Sequence, residues 1–287
     1  MKLNSWVVCK AFLQKLPVDK GRALLRFFSL EQKKKMEEAP STWKDVTTEL
    51  ASTKQRLSLI HFSWFLPFLR SLSEKDIRLF LGALGKQQAE QIAQQLKLSN
   101  YSHSLSSLAT TFLEETLLKK VSLGEAHLLV PEALPSSSLN ILLSIPLELL
   151  KKVIRFLGLH DVAAEVKYII DSSKLKKLYA LLSEIEHNYL KILQQTPEPV
   201  IFARMGLSQW EDKEESVNLL IYQRGLNRLA KASYGEHPSF IWHLKHKMEV
   251  DQAMLFDKMC CALENSSAKT VLSSQILELL SFLKVSL

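Results

Sequence analysis

Apolar and polar residues recur with a period near 3.6 along most of this chain, the pattern of amphipathic helices. From Asp19, the residues Ala23, Leu24, Phe27 and Phe28 mark one apolar face ahead of the polar run 31–38 and Pro40. That predicts a helix with Asp19 as N-cap and Pro40 as its stop. The stretch 57–72 is strongly apolar, and Pro67 inside it predicts a break or kink. Ser73-Glu74-Lys75-Asp76 resembles a capping box and opens a helix over 77–84. After Gly85 a second helix, 87–98, carries Ala89, Ile92, Ala93 and Leu96 on one face. Together they read as an αα-hairpin. A further helix is expected over 108–118, beyond the Ser-rich stretch 99–107.

Two prolines and a serine run between Pro131 and Ser138 mark the strongest internal boundary. Beyond it, Pro146 is placed to start a helix over 147–157, Gly158 to end it, and Asp161 to cap another over 162–170. A long helix is expected over 174–193, stopping before Pro197 and Pro199. Four more should begin near Glu214, Pro238, Val250 and Ser267. The segments 77–98 and 147–170 share one order, apolar helix, glycine at the turn, then a second helix with alanines, which hints at repeats. The expected fold is therefore all-α: stacked antiparallel helix pairs in an armadillo-like, helical-repeat architecture without a sheet. Its organisation should be N-terminal helices over 1–40, a first helical unit over 41–130 and a second over 136–287.

Composition sharpens this in two ways. With only 8 Gly and 9 Pro the elements must be long, and 47% hydrophobic against 23% charged residues describes a globular chain. A net charge of +7 permits nucleic acid, an anionic surface or an acidic protein as partner without choosing among them. The basic runs at 33–35, 119–120, 151–152 and 176–177 read as solvated helix faces. The aromatic residues lie on apolar faces away from those runs, which argues against nucleic acid. Cys9, Cys260 and Cys261 offer no disulfide framework, because adjacent cysteines do not easily bridge. The first ten residues lack the apolar core and cleavage site of a signal peptide. No apolar run is long enough to span a bilayer. The expectation is a cytoplasmic protein.

Signatures of catalysis are missing. Gly82, Gly85 and Gly158 do not have phosphate-loop spacing, and neither a nucleophile elbow nor Cys-x-x-Cys occurs. The expectation is a non-enzyme with no catalytic residue, no cofactor and no small-molecule substrate. His243 and His246 share a helix face, with His237, Glu249 and Asp251 near in sequence. A metal site needs three or four convergent ligands, so the reading is a solvated or partner-facing face and no metal. Cys260 and Cys261 would point about 100° apart on a helix, as buried apolar thiols. Trp6, Trp64 and Trp242 fall in apolar patterns and read as core, whereas Trp210, beside Glu211 and Asp212, is a candidate partner contact.

One segment carries more specific information. Gly235-Glu236-His237-Pro238-Ser239-Phe240-Ile241-Trp242, followed by Leu244, Met248, Asp251, Gln252 and Ala253, resembles the Glu-His-Pro motif region of the flagellar motor-switch FliG family. The likeness spans about 219–265, and the hairpin 77–96 looks like the same helical unit. The resemblance implies a partner-binding role for Glu236, His237, Pro238 and Ser239, with Glu236 complementing the helix dipole. Ser239 stands where the family has Gln, and 266–287 carries only Lys269, Glu278 and Lys284 in place of the family's charged torque helix. The chain therefore looks more like a helical adaptor of a type III secretion or flagellar export assembly. It would link an inner-membrane ring to cytoplasmic sorting-platform components and meet the membrane only peripherally, through protein partners. The alternative is a helical chaperone or regulatory interaction protein of another pathway.

Overall fold

A computed structural model describes residues 5–39, 52–98, 105–122, 128–207, 213–263 and 265–283. Its helices, in chain order, are α1 (Ser5–Lys15), α2 (Val18–Leu25), α3 (Leu30–Glu38), α4 (Thr53–Ser58), α5 (Leu66–Leu69), α6 (Glu74–Ala83), α7 (Lys86–Gln95) and α8 (Ser107–Val121). They continue as α9 (Ile141–Ser144), α10 (Leu147–Val166), α11 (Ser172–Ala180) and α12 (Glu184–Gln195). The last four are α13 (Glu214–Ser233), α14 (Pro238–Lys247), α15 (Val250–Met259) and α16 (Ser266–Phe282). Short 3-10 turns fall at Phe62–Trp64, Pro131–Ala133 and Ser138–Asn140. No strand occurs among the described residues, and the fold class is all-α.

The chain divides into two compact units, Met1–Ser136 with His237–Val250, and Ser137–Glu236 with Asp251–Leu287. The second unit is thus not the continuous 136–287 expected from sequence, because α14 folds with the first. The core of the first unit joins Leu57, Phe65, Leu69, Leu81, Ile92 and Leu117 with Trp242 of α14. Gln88 closes its edge by donating to the carbonyls of Leu57 and Ile60 at 2.9 and 2.7 Å. Trp64 and Trp242 sandwich His246, with ring centroids 4.0 and 3.8 Å away. The Trp64 indole donates to the Met248 carbonyl at 3.0 Å. These contacts explain why α14 leaves its sequence neighbours.

The second unit is built on α10 and α13, with α16 and α12 packed on α10. A Cβ on Gly158 would lie 2.0 Å from the Ile221 carbonyl oxygen, and one on Gly225 only 1.6 Å from that of Ile154. The two helix backbones touch through these glycines. Gly158 therefore does not end a helix, as the sequence suggested, but lets α10 run on to Val166 while α13 crosses it. Asp161 is then no N-cap but an interior residue of α10.

Other boundaries moved for local reasons. Ser29 and Gln32 form a capping box that restarts the chain as α3, so the helix expected from Asp19 to Pro40 is two. Ser183 and Glu186 do the same, splitting the expected 174–193 helix into α11 and α12. Pro67 sits in the first turn of α5, where its missing N–H costs nothing.

Candidate functional site

The residues implied by the Glu-His-Pro resemblance gather at the start of α14, but their polar groups are engaged within the chain. Glu236 pairs with Lys269 at 3.0 Å. His237 is the N-cap of α14, its Nδ1 accepting from the Ser239 amide at 3.1 Å. Pro238 occupies the first turn and is exposed. Ser239 is only 4% exposed, and its hydroxyl accepts from the Leu129 amide at 3.0 Å. A side chain so buried does not meet a partner, which corrects the expectation for Ser239. Trp210 lies outside the described residues.

The histidine face is also not what the sequence suggested. His246 is buried between two indoles with Nδ1 2.7 Å from the Trp242 carbonyl. His243 Nε2 lies 2.7 Å from the Leu129 carbonyl, and burial pushes its pKa down. Each imidazole is engaged separately, and no group of three or more His, Cys, Asp or Glu that could hold a metal occurs among the described residues.

The polar centre of the molecule lies elsewhere, in the second unit. Arg228 of α13 is fully buried. Its Nη2 donates to Asp161 Oδ1 at 2.6 Å and to the Val200 carbonyl at 3.1 Å. Its Nη1 donates to Glu198 Oε1 at 3.0 Å and to Gln275 Oε1 at 3.2 Å. The guanidinium carbon stands 5.2 Å from the Phe202 ring centroid. Gln275 of α16 returns a bond to Glu198 at 2.8 Å. Burial works to raise the Glu198 carboxyl, but the His160 hydrogen bond and the Arg228 charge outweigh it and hold the pKa at about 2. Glu198 is thus a carboxylate, and His160 Nδ1 donates to its Oε2 at 2.6 Å. The other nitrogen of His160 is 3.0 Å from the Tyr189 hydroxyl, whose pKa burial pushes up.

One turn along α10, buried Glu165 accepts from the Leu207 amide at 2.8 Å and from the Met205 amide. Helices α10, α13 and α16 together fix the irregular segment 196–207 by its side chains and its backbone. A chain without regular structure leaves peptide groups unpaired, and this network supplies the missing partners. It is not complete. Arg228 Nε and Asp161 Oδ2 are buried without hydrogen-bond partners.

The fixed segment forms one wall of a cavity of about 280 Å³. Tyr168, Leu193, Ile201, Phe202 and Met205 supply apolar surface, and Lys167 and Arg204 supply charge. Ile201 at the edge is 79% exposed, Tyr168 59% and nearby Ile170 98%. Arg204 covers the Tyr168 ring at 4.2 Å. Chemically the arrangement offers an apolar recess behind exposed aliphatic side chains, with Glu165 and Glu198 already bonded and Asp161 bonded through one oxygen. Sequence reading missed it, although one signal was present. Val217, Ile221, Gly225, Arg228 and Ala232 recur at helical spacing, which puts Arg228 on the apolar stripe of α13.

Compared with known proteins, the chain matches no family profile, no curated protein and no solved structure.

Proposed function

We propose that the protein is a non-catalytic helical adaptor that joins protein components of a larger assembly. The assembly suggested by the Glu-His-Pro resemblance is a type III secretion or flagellar export machine, with the chain between an inner-membrane ring and cytoplasmic components. One observation carries the binding role. The second unit holds Tyr168, just past the end of α10, and Ile201, on the segment fixed by Arg228, Glu198 and Glu165, exposed at the mouth of an apolar recess. Exposed aliphatic and aromatic side chains on a rigid support are the material of interface hot spots. His160, bonded to the recess-lining Glu198, has both ring nitrogens engaged, which fits a structural rather than a catalytic duty.

The test is affinity capture from native cells by the tagged full chain, compared with the double variant Tyr168→Ala, Ile201→Asp. Both positions are exposed, so the melting curve should not move by more than a few degrees. Capture of ring or sorting-platform proteins should fall at least tenfold, a loss of about 1.4 kcal/mol. Undiminished capture by the variant would remove the recess from the account. Capture of a small secreted client alone would replace the adaptor with a chaperone.

A further inference from the structure

We infer that α1–α3 form a docking surface for an anionic lipid bilayer. This rests on the first unit and does not depend on the recess of the second.

Charge is concentrated here. Between Lys10 and Lys35 the chain has eight basic residues against two acidic, Asp19 and Glu31, a net +6 in a protein whose total is +7. Among the described side chains, Lys10 donates to the Glu37 and Ala39 carbonyls at 2.7 Å, and Lys35 pairs with Glu31. Lys20, Arg22, Arg26 and Lys34 all face solvent.

The apolar side chains beside them are not where folding would put them. In α2 only Gly21 is buried, against the carbonyl of Leu13. Arg22 and Arg26 are four residues apart and share one side of α2 and its C-cap, Lys20 lies on another side, and Phe27 follows in the turn beyond Leu25. The chain then turns through Arg26–Ala23, Phe27–Leu24 and Phe28–Leu25 backbone bonds into the Ser29 cap of α3. At this turn the two adjacent phenylalanines part. Phe28 packs edge-on against Trp6 at 6.4 Å, while Phe27 is 85% exposed and Leu30, three residues on, 86%. The inner phenylalanine belongs to the fold and the outer one has no folding role.

An exposed aromatic and an exposed aliphatic side chain at a turn within a strongly basic segment have the chemistry of interfacial membrane binding. The apolar tips enter the acyl boundary while Lys and Arg meet the headgroups. An acidic protein partner would supply the charge complement alone, whereas a bilayer also accepts the exposed Phe27 and Leu30 side chains. Each basic residue near an anionic leaflet strengthens partitioning roughly fivefold.

The experiment is co-sedimentation of the full chain with phosphatidylcholine vesicles and with vesicles containing phosphatidylglycerol. Binding to the anionic vesicles only, weakened by salt, is expected. Lys20→Glu with Arg22→Glu and Arg26→Glu should reduce it at least tenfold, as should Phe27→Ser with Leu30→Ser, each with an unchanged melting curve. The Tyr168→Ala, Ile201→Asp variant should bind vesicles as the wild type does, which separates this proposal from the adaptor reading. A chain that sediments with neither vesicle, or whose charge variant binds undiminished, overturns the proposal. So does a photo-crosslinker at position 27 that gives protein adducts alone in whole membranes.

Discussion

The first unit closes on Phe65, Leu69, Leu81, Ile92 and Leu117, whereas the second wraps three helices around a fully buried guanidinium. The contrast separates two jobs. An apolar core stabilises in proportion to the surface it removes from water and specifies geometry only through shape. A buried Arg228 with four bonded acceptors costs desolvation, and hydrophobic replacement of such a network is often neutral or better. What it adds is position. The acceptors come from residues 161, 198, 200 and 275, so the guanidinium ties α10, α16 and an irregular segment to one point of α13.

The comparison breaks most visibly by removing one partner from each core. Arg228→Met should cost about 3–5 kcal/mol, because it leaves Asp161 and Glu198 buried without their cation. Leu81→Ala in the first unit should cost about 2–5 kcal/mol through cavity formation alone. Urea unfolding at neutral pH and at pH 3 tells them apart. The Leu81 variant should keep the acid sensitivity of the wild type, while the Arg228 variant should lose much of it.

That sensitivity has a definite sign. The Glu198 carboxyl is held at about 2 in the folded chain, below its ordinary value of 4.5. Its contribution is present above pH 4.5 and is lost as pH falls through about 2, below which both states are protonated. The loss is about 3 kcal/mol. Glu198→Gln should flatten the stability curve over that window. An unchanged curve would mean that Glu198 is not held by His160 and Arg228.

Smaller effects probe the helix crossing. Gly225→Ala forces a methyl group to within 1.6 Å of the Ile154 carbonyl oxygen and should cost about 1–3 kcal/mol or more. Gly85→Ala in the first unit meets nothing closer than a flexible Gln88 side-chain atom at 3.8 Å. It should change stability by no more than about 0.5 kcal/mol. Equal effects at the two positions would deny the close backbone contact.

These positions also show how far the sequence could be read. The αα-hairpin at α6–α7 and the starts of α13, α14 and α15 followed from apolar spacing, a cap and a proline, which are local signals. The capping boxes at Ser29 and Ser183 were equally local and could have been read. Gly158 could not, because a glycine that ends a helix and one that admits another helix look alike until Gly225 is placed beside it. Arg228 and Asp161 are 67 residues apart, and neither announces the other. The departure of α14 to the first unit depends on Trp64 and Trp242 closing on His246, again a distant pairing. Of the expected partner residues, periodicity placed the helix start correctly, but it could not reveal that Leu129 would take the Ser239 hydroxyl.

The central claim is that Arg228 fixes the segment bearing Ile201. Amide hydrogen exchange of the wild type and Arg228→Lys tests it directly, since a lysine ammonium cannot reproduce the planar fork that reaches four acceptors. Peptides covering 196–207 should exchange at least tenfold faster in the variant, while those covering Leu81 and Ile92 keep their protection. Unchanged exchange over 196–207, or an equal rise in both regions, would contradict the account.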